Sequence, residues 1–98
     1  NSVEYFDLDG INMPLSARFR QNGDKFVPFG HNTPQKIGKF AASANQAIII
    51  QDNKQILWLA PLRRSRTGTI TKNTTKILKI RVSVRHLSGK GIAKPLHE

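Results

Sequence analysis

Arg18 and Arg20 sit two residues apart, Lys36 and Lys39 three apart, and Arg63 and Arg64 are adjacent with Arg66 just beyond. Small groups of this kind suit the binding of phosphate. A guanidinium fork meets two phosphate oxygens at once, whereas an ammonium acts as a compact point charge. Both release condensed counterions when they meet a nucleic-acid backbone, which favours association. The competing reading is a solvated cationic surface that keeps the chain soluble. Asp24 follows an Asn22-Gly23 turn signal. A lone carboxylate there suits a loop hydrogen-bond acceptor better than a general base.

Catalytic chemistry finds little support. A nucleophile triad needs Ser or Cys beside His and a carboxylate. His31, His86 and His97 are scattered, and between Asp52 and Glu98 there is no acid. No two histidines have metal-ligand spacing, and the absence of Cys excludes thiolate zinc sites and disulfides. Ser88-Gly89-Lys90 matches only a fragment of a phosphate loop. A stand-alone enzyme is therefore disfavoured.

The charge balance points the same way. The 98 residues carry 16 Lys/Arg against 6 Asp/Glu, for a net charge of +10 and a pI of about 10.8. From Asn53 to His97 there are eleven Lys/Arg and no Asp or Glu. A polyanion, with nucleic acid foremost, is the expected partner. The length suits one domain with a modest core. No apolar run approaches a membrane span, and the Cys-free composition fits the reducing cytoplasm, so a cytoplasmic protein with no membrane partner is expected. The chain starts at Asn1 without Met. It is expected to be a fragment or a processed product.

These cations need elements to hold them. Residues 3–6 read as a short strand ending at Asp9-Gly10. Leu15 to Arg20 alternates, with Leu15, Ala17 and Phe19 on one face and Ser16, Arg18 and Arg20 on the other. Phe26-Val27-Pro28-Phe29-Gly30 reads as a compact loop whose two aromatics plug the core. A helix is predicted next, with Thr33 as N-cap, Pro34 at its first position and Ile37, Phe40, Ala41 and Ala44 on one apolar face. Gly38 weakens it, and Asn45 can end it. Its start would place Lys36 and Lys39 near free N–H groups and a dipole that favour anions. Ala47–Ile50 and Gln55–Ala60 read as an apolar hairpin at the centre of the core, turning at residues 51–54, with Trp58 buried and its indole N–H in need of a partner. Residues 67–75 read as a loop. Leu78 to Arg85 alternates best of all, placing Leu78, Ile80, Val82 and Val84 inward and Lys79, Arg81 and Arg85 outward. Residues 1–85 are taken as a single domain and 86–98 as a flexible basic tail.

The block Arg18-Phe19-Arg20-Gln21-Asn22-Gly23-Asp24-Lys25-Phe26-Val27-Pro28-Phe29-Gly30, followed by Lys36-Ile37-Gly38-Lys39-Phe40, resembles the C-terminal domain of bacterial tRNA(Ile)-lysidine synthetases. Glu4-Tyr5-Phe6-Asp7 and Ile56-Leu57-Trp58-Leu59-Ala60-Pro61-Leu62-Arg63 extend the similarity to about residues 4 to 81. The resemblance implies an α+β fold: a small strand-rich domain with one main helix, similar to a domain of the phenylalanyl-tRNA synthetase β chain. It implies a parent enzyme that uses ATP and Mg to join lysine to the wobble cytidine of an isoleucine tRNA, and a homodimer through that parent. The Ser-Gly-Gly-x-Asp-Ser pyrophosphate loop of the parent's catalytic part does not occur here. This chain would then be a non-catalytic module that meets the acceptor stem. By motif position Arg18, Arg20, Lys36 and Lys39 inherit candidate RNA contacts, joined by Arg63 and Arg64 from the basic run, while Asp24, Pro28 and Gly30 inherit loop architecture. One departure is the short Ala41–Gln46 link, which lacks the Val-Pro and further Arg of the family pattern, so contacts from that segment are not carried over. A stand-alone basic RNA-binding or protein-assembly domain remains the alternative.

Overall fold

The computed structural model describes residues 2–40 and 47–83, with side chains as far as Gly38 and from Ala47 onward. The fold is almost entirely strands. In chain order these are β1 (Ser2–Asp7), a 3-10 turn (Leu8–Gly10), β2 (Ser16–Phe19), β3 (Lys25–Phe26), β4 (Gln35–Lys36), a second 3-10 turn (Ile37–Phe40), β5 (Ile48–Gln51), β6 (Ile56–Ala60), β7 (Arg63–Arg64) and β8 (Ile77–Val82).

A four-stranded antiparallel sheet, ordered β2-β5-β6-β7, forms the middle. Its two central strands are the predicted apolar hairpin. Both faces of this hairpin are covered, which is why its residues need no polar alternation. On one face Ile49 and Leu59 pack with Phe26, Ile37, Ala47 and Ile56. On the other Ile50, Trp58 and Ala60 pack with Phe6, Ile11 and Leu57, and Leu15, Ile48, Leu78, Ile80 and Val82 complete the layer. A bulge in β6 explains why both Leu57 and Trp58 reach this second layer. Ile50 pairs with Trp58 and Gln51 with Ile56, so Leu57 has no residue opposite it. Trp58 is buried as expected, but its indole N–H finds no hydrogen-bond partner among the described residues.

The second layer is roofed by an antiparallel ribbon of β1 and β8. Its alternation matches the sequence pattern. Leu78, Ile80 and Val82 turn inward while Ile77, Lys79 and Arg81 are exposed. The first layer is roofed by the short pair β3–β4.

The predicted helix over residues 34–45 is not confirmed. Gln35 and Lys36 form a strand against Phe26 and Lys25, and residues 37–40 make a single 3-10 turn. Ala41, Ala44 and Asn45 lie outside the described residues. Among the described residues no helix exceeds these short turns. Tertiary contacts overrode a weak local preference. Gly38 costs a helix about 1 kcal/mol. Fully burying a side chain such as Ile37 gains roughly 1.5–3 kcal/mol, and the Ile37 N–H also donates to the Asp24 carbonyl at 3.0 Å.

Three other expectations change. Phe29 is half exposed rather than buried, whereas Phe26 does plug the core. On β2 the expected alternation holds, but burial does not follow apolarity along it: Leu15 packs against the second layer and Phe19 does not. Phe19 is 75% exposed, while Arg18 on the opposite face is partly covered. Arg63 and Arg64, read as part of a basic run, pair with β6 as an added edge strand. The expected tail at 86–98 and the outward Arg85 lie outside the described residues.

Candidate nucleic-acid interface

Strand alternation sends the adjacent arginines to opposite faces of the sheet. Arg18, Ile49, Leu59 and Arg63 form one cross-strand row, so Arg18 and Arg63 share the face roofed by β3–β4. They stand at opposite edges of the sheet, about 14 Å apart at roughly 4.8 Å per strand. Arg63 donates to the Phe29 carbonyl at 3.1 Å.

Arg64 enters the other layer and is a structural tie. Its guanidinium lies 4.1 Å from the centre of the Phe6 ring. It donates to the carbonyls of Tyr5 at 2.6 Å, Thr67 at 2.8 Å and Ser65 at 2.8 Å, and pairs with Glu4 at 3.5 Å. One fork thus joins β1, β7 and the loop that follows β7. Burial lowers its pKa from the ordinary value, and Glu4 opposes that shift.

Arg18 is similarly committed. It meets both oxygens of Asp24, at 2.9 and 3.0 Å, and also donates to Gln51 Oε1 at 3.0 Å and to the Phe19 carbonyl at 3.1 Å. Asp24 also accepts from the Gln21 N–H at 2.8 Å, which closes the Asn22-Gly23 turn, where Gly23 holds φ 91°. The hydrogen bonds from Arg18 hold the Asp24 carboxyl below the usual carboxylate range against the opposing effect of burial, and Arg20 adds to the lowering. Arg20 lies alongside: its Nη2 is 3.3 Å from where a Cβ on Gly38 would stand. Pro28 is buried and bridges Ser65, and Gly30 takes φ 89°, a left-handed conformation that suits glycine.

Around this frame runs a cationic trough. An open groove of about 810 Å³ is lined by Arg18, Asp24, Lys25, the β5–β6 turn with Lys54, and Arg66. A second hollow of about 360 Å³ shares Lys25 and Pro34 with it and adds Gln35 and Lys36. The acids of the groove are already engaged. Asp24 holds Arg18. Asp52, buried in the hairpin turn, accepts from the N–H groups of Asn12, Lys54 and Gln55 at 2.8, 2.8 and 2.9 Å. Burial alone would raise the Asp52 pKa, but these donors outweigh it and leave it lowered. Lys25, Lys36 and Lys54 are exposed, with no carboxylate partner among the described residues. Among the described residues Arg66 reaches Asn32 Oδ1 at 3.3 Å and the His31 carbonyl at 3.5 Å. Lys25 and Lys36 are direct cross-strand partners. Like charges placed opposite one another destabilise a sheet, so an anion between them would relieve the repulsion.

The expected site residues therefore divide. Arg18, Arg20 and Lys36 gather around one loop, Arg63 shares their face at the far edge, and Arg64 is on the other side of the sheet. Lys39 falls in the second 3-10 turn, and its side chain lies outside the described residues. Lys36 stands on a strand and Lys39 in a single 3-10 turn, so neither gains the expected support of a helix N-terminus. Lys25 and Lys54, not among the expected contacts, also line the trough, together with Arg66 of the basic group at 63–66. Lys25 follows the Gly23-Asp24 turn and Lys54 tips a predicted hairpin, but only the folded register brings them together.

Among the described residues no three His, Cys or acidic groups cluster, and both groove carboxylates are engaged. No helix among them is long and apolar enough to cross a membrane.

Comparison with known proteins sharpens the class. No family model matches the chain. The fold is similar to an N-terminal fragment of the phenylalanyl-tRNA synthetase β-subunit from Pyrococcus horikoshii, with TM-score 0.68 and 18% identity over 79% of this chain and 26% of that one. It is also similar to the crystal structure of a TilS C-terminal domain, with TM-score 0.65 and 24% identity over 81% of this chain and 68% of that one. The fold is thus that of a small strand-rich domain shared with these two structures.

In sequence the chain is homologous to the C-terminal part of tRNA(Ile)-lysidine synthases. The relative from Clostridium acetobutylicum is 31% identical over 88 residues, 83% of this chain. That from Clostridium perfringens is 32% identical over 85 residues, 80% of this chain. The chain spans only 19% and 18% of the length of these two relatives.

Proposed function

We propose that this chain is the tRNA-recognition domain of a lysidine synthase and that its trough grips the acceptor stem of an isoleucine tRNA. On this reading the domain supplies grip, and ATP-dependent transfer of lysine to the wobble cytidine, with its ATP and Mg, belongs to the rest of the parent enzyme. The parent would act in the cytoplasm as a homodimer.

The observation that supports this most is the trough itself: Lys25, Lys36, Lys54 and Arg66 line it, and its carboxylates are engaged by internal partners. A-form RNA is met chiefly through phosphates, 2′-hydroxyls and shape. Cations on short paired strands and a tight turn present a fixed spacing suited to that. Arg18, Arg20 and Asp24 act as the frame that holds the turn, with Pro28 and Gly30 shaping the loop behind it. Arg63 and Lys39 extend the cationic face.

Fluorescence anisotropy of a labelled tRNA(Ile) against salt tests the proposal. Lys25→Ala with Lys54→Ala should weaken binding and flatten the log–log salt dependence by about 0.7–0.9 for each phosphate no longer neutralised. An acceptor-stem minihelix should retain most of the affinity. Binding that ignores salt, or that survives the double substitution unchanged, would refute it. A tight dimer with no RNA affinity, seen by light scattering, would favour the assembly reading instead.

A further inference from the structure

The outer face of the β1–β8 ribbon carries a second cationic surface that the trough does not use. Direct cross-strand pairing aligns Val3 with Arg81 and Tyr5 with Lys79 on this face, while Glu4, Phe6, Leu78, Ile80 and Val82 turn to the core. Tyr5 is 47% exposed, and Lys79 Nζ lies 6.0 Å from its ring centre. Arg81 is exposed one pleat further along. Neither cation has a carboxylate partner among the described residues. The acid at the end of this face, Asp7, is occupied by Thr74 Oγ1 at 2.9 Å and the Asp9 N–H at 3.0 Å.

The ribbon and the trough lie on opposite sides of the central sheet. β3–β4 covers Ile49 and Leu59, and β1–β8 covers Ile50, Trp58 and Ala60.

We infer that this ribbon face binds unpaired RNA, with a base stacked on Tyr5 and flanking phosphates held by Lys79 and Arg81. The chemistry matches a single strand better than a duplex. A duplex hides its base faces, whereas an unpaired base offers one to an exposed ring, and stacking of this kind tolerates any base. Residues i and i+2 on a strand stand about 6.8 Å apart, so Lys79 and Arg81 can follow an extended phosphate backbone. An acidic peptide would use the two cations and leave the ring idle. This inference goes beyond the trough and is independent of it.

The test uses the full 98-residue chain and a fluorescein-labelled oligoadenylate, with a blunt RNA hairpin and polyglutamate as comparison probes. Tyr5→Ala should weaken oligoadenylate binding roughly five- to 150-fold, as loss of one aromatic–base stack does elsewhere. Tyr5→Phe should restore it, and hairpin binding should not change in either variant. Photocrosslinking of a 4-thiouridine oligonucleotide should label the peptide containing Tyr5, which keeps the inference testable if Tyr5→Ala folds poorly. Oligoadenylate binding that is indifferent to Tyr5→Ala but abolished by Lys25→Ala with Lys54→Ala would overturn it. So would polyglutamate binding as tight as that of RNA, which would mark a non-specific cationic face. Because hairpin binding reports on the trough alone, failure there and failure here are separable.

Discussion

Replacing Lys36 by Glu should make the free domain more stable and its RNA complex weaker. Lys25 and Lys36 are direct partners on an exposed two-stranded ribbon, with no carboxylate beside them among the described residues. Cβ atoms of such partners sit about 5 Å apart, and splayed ammonium groups reach roughly 7 Å. In water two unit charges at about 7 Å repel by about 0.6 kcal/mol. A Debye length of about 8 Å reduces this to about 0.25 kcal/mol at about 0.15 M salt. Reversing one charge changes the interaction by twice that, so Lys36→Glu should stabilise by about 0.5 kcal/mol at about 0.15 M and by about 1 kcal/mol in about 10 mM salt. For a domain of this size the former raises Tm by about 2–4 °C. Lys36→Met should fall between. In tRNA binding, release of one phosphate with a slope near ~0.8 weakens affinity about sixfold at about 0.1 M salt, and the added negative charge weakens it further. Calorimetry at two salt concentrations and anisotropy on the same preparations give both readings. A lower Tm with undiminished RNA affinity would refute the reasoning. A Tm gain that did not shrink with salt would mean the like-charge pair is not its source.

Arg64→Lys keeps a charge but loses the fork that joins the Tyr5, Ser65 and Thr67 carbonyls. It should cost about 2–4 kcal/mol in urea unfolding, because partly buried acceptors lose their donor, while the salt slope of tRNA binding stays unchanged. A changed slope with unchanged stability would place Arg64 at the RNA after all. Asp24 and Asp52 both have lowered pKa values in the folded state, through Arg18 in one case and, despite burial, through backbone N–H groups in the other. Their contribution to stability is present above the unfolded carboxylate pKa of about 4 and is lost as pH falls below it. Asp52→Asn should reduce stability at neutral pH and flatten the decline between about pH 5 and pH 2; an identical acid limb in urea titrations would exclude that role.

Much of the fold could be read from local pattern. Period-two alternation marked Leu78–Val82, and an uninterrupted apolar pair of runs around residues 51–54 marked the central hairpin, because side-chain direction in a strand depends only on position along it. At β2 the same rule held but could not say which residues would be buried. Alternation shows which residues share a face, but which face meets the core is decided by what packs there, and β3–β4 left Phe19 in solvent and covered Arg18. The helix expected from Pro34 is replaced over residues 35–40 for a related reason. Residues Gln35 and Lys36 had a strand partner, Lys25–Phe26, that no short-range pattern discloses.

For the site, the amino-acid order by itself determined that this is a strongly cationic chain, and the Arg18–Gly30 block pointed to its homologues. Charge and motif are sums over residues and survive without a fold. Only the tertiary structure decided which cations remain available. Arg18 and Arg64 are taken up by Asp24 and by a ring and three carbonyls, and Lys25, Lys36, Lys54 and Arg66 are left to line the trough. Whether a guanidinium is committed depends on acceptors up to sixty residues away in the chain. Strand register sets those distances.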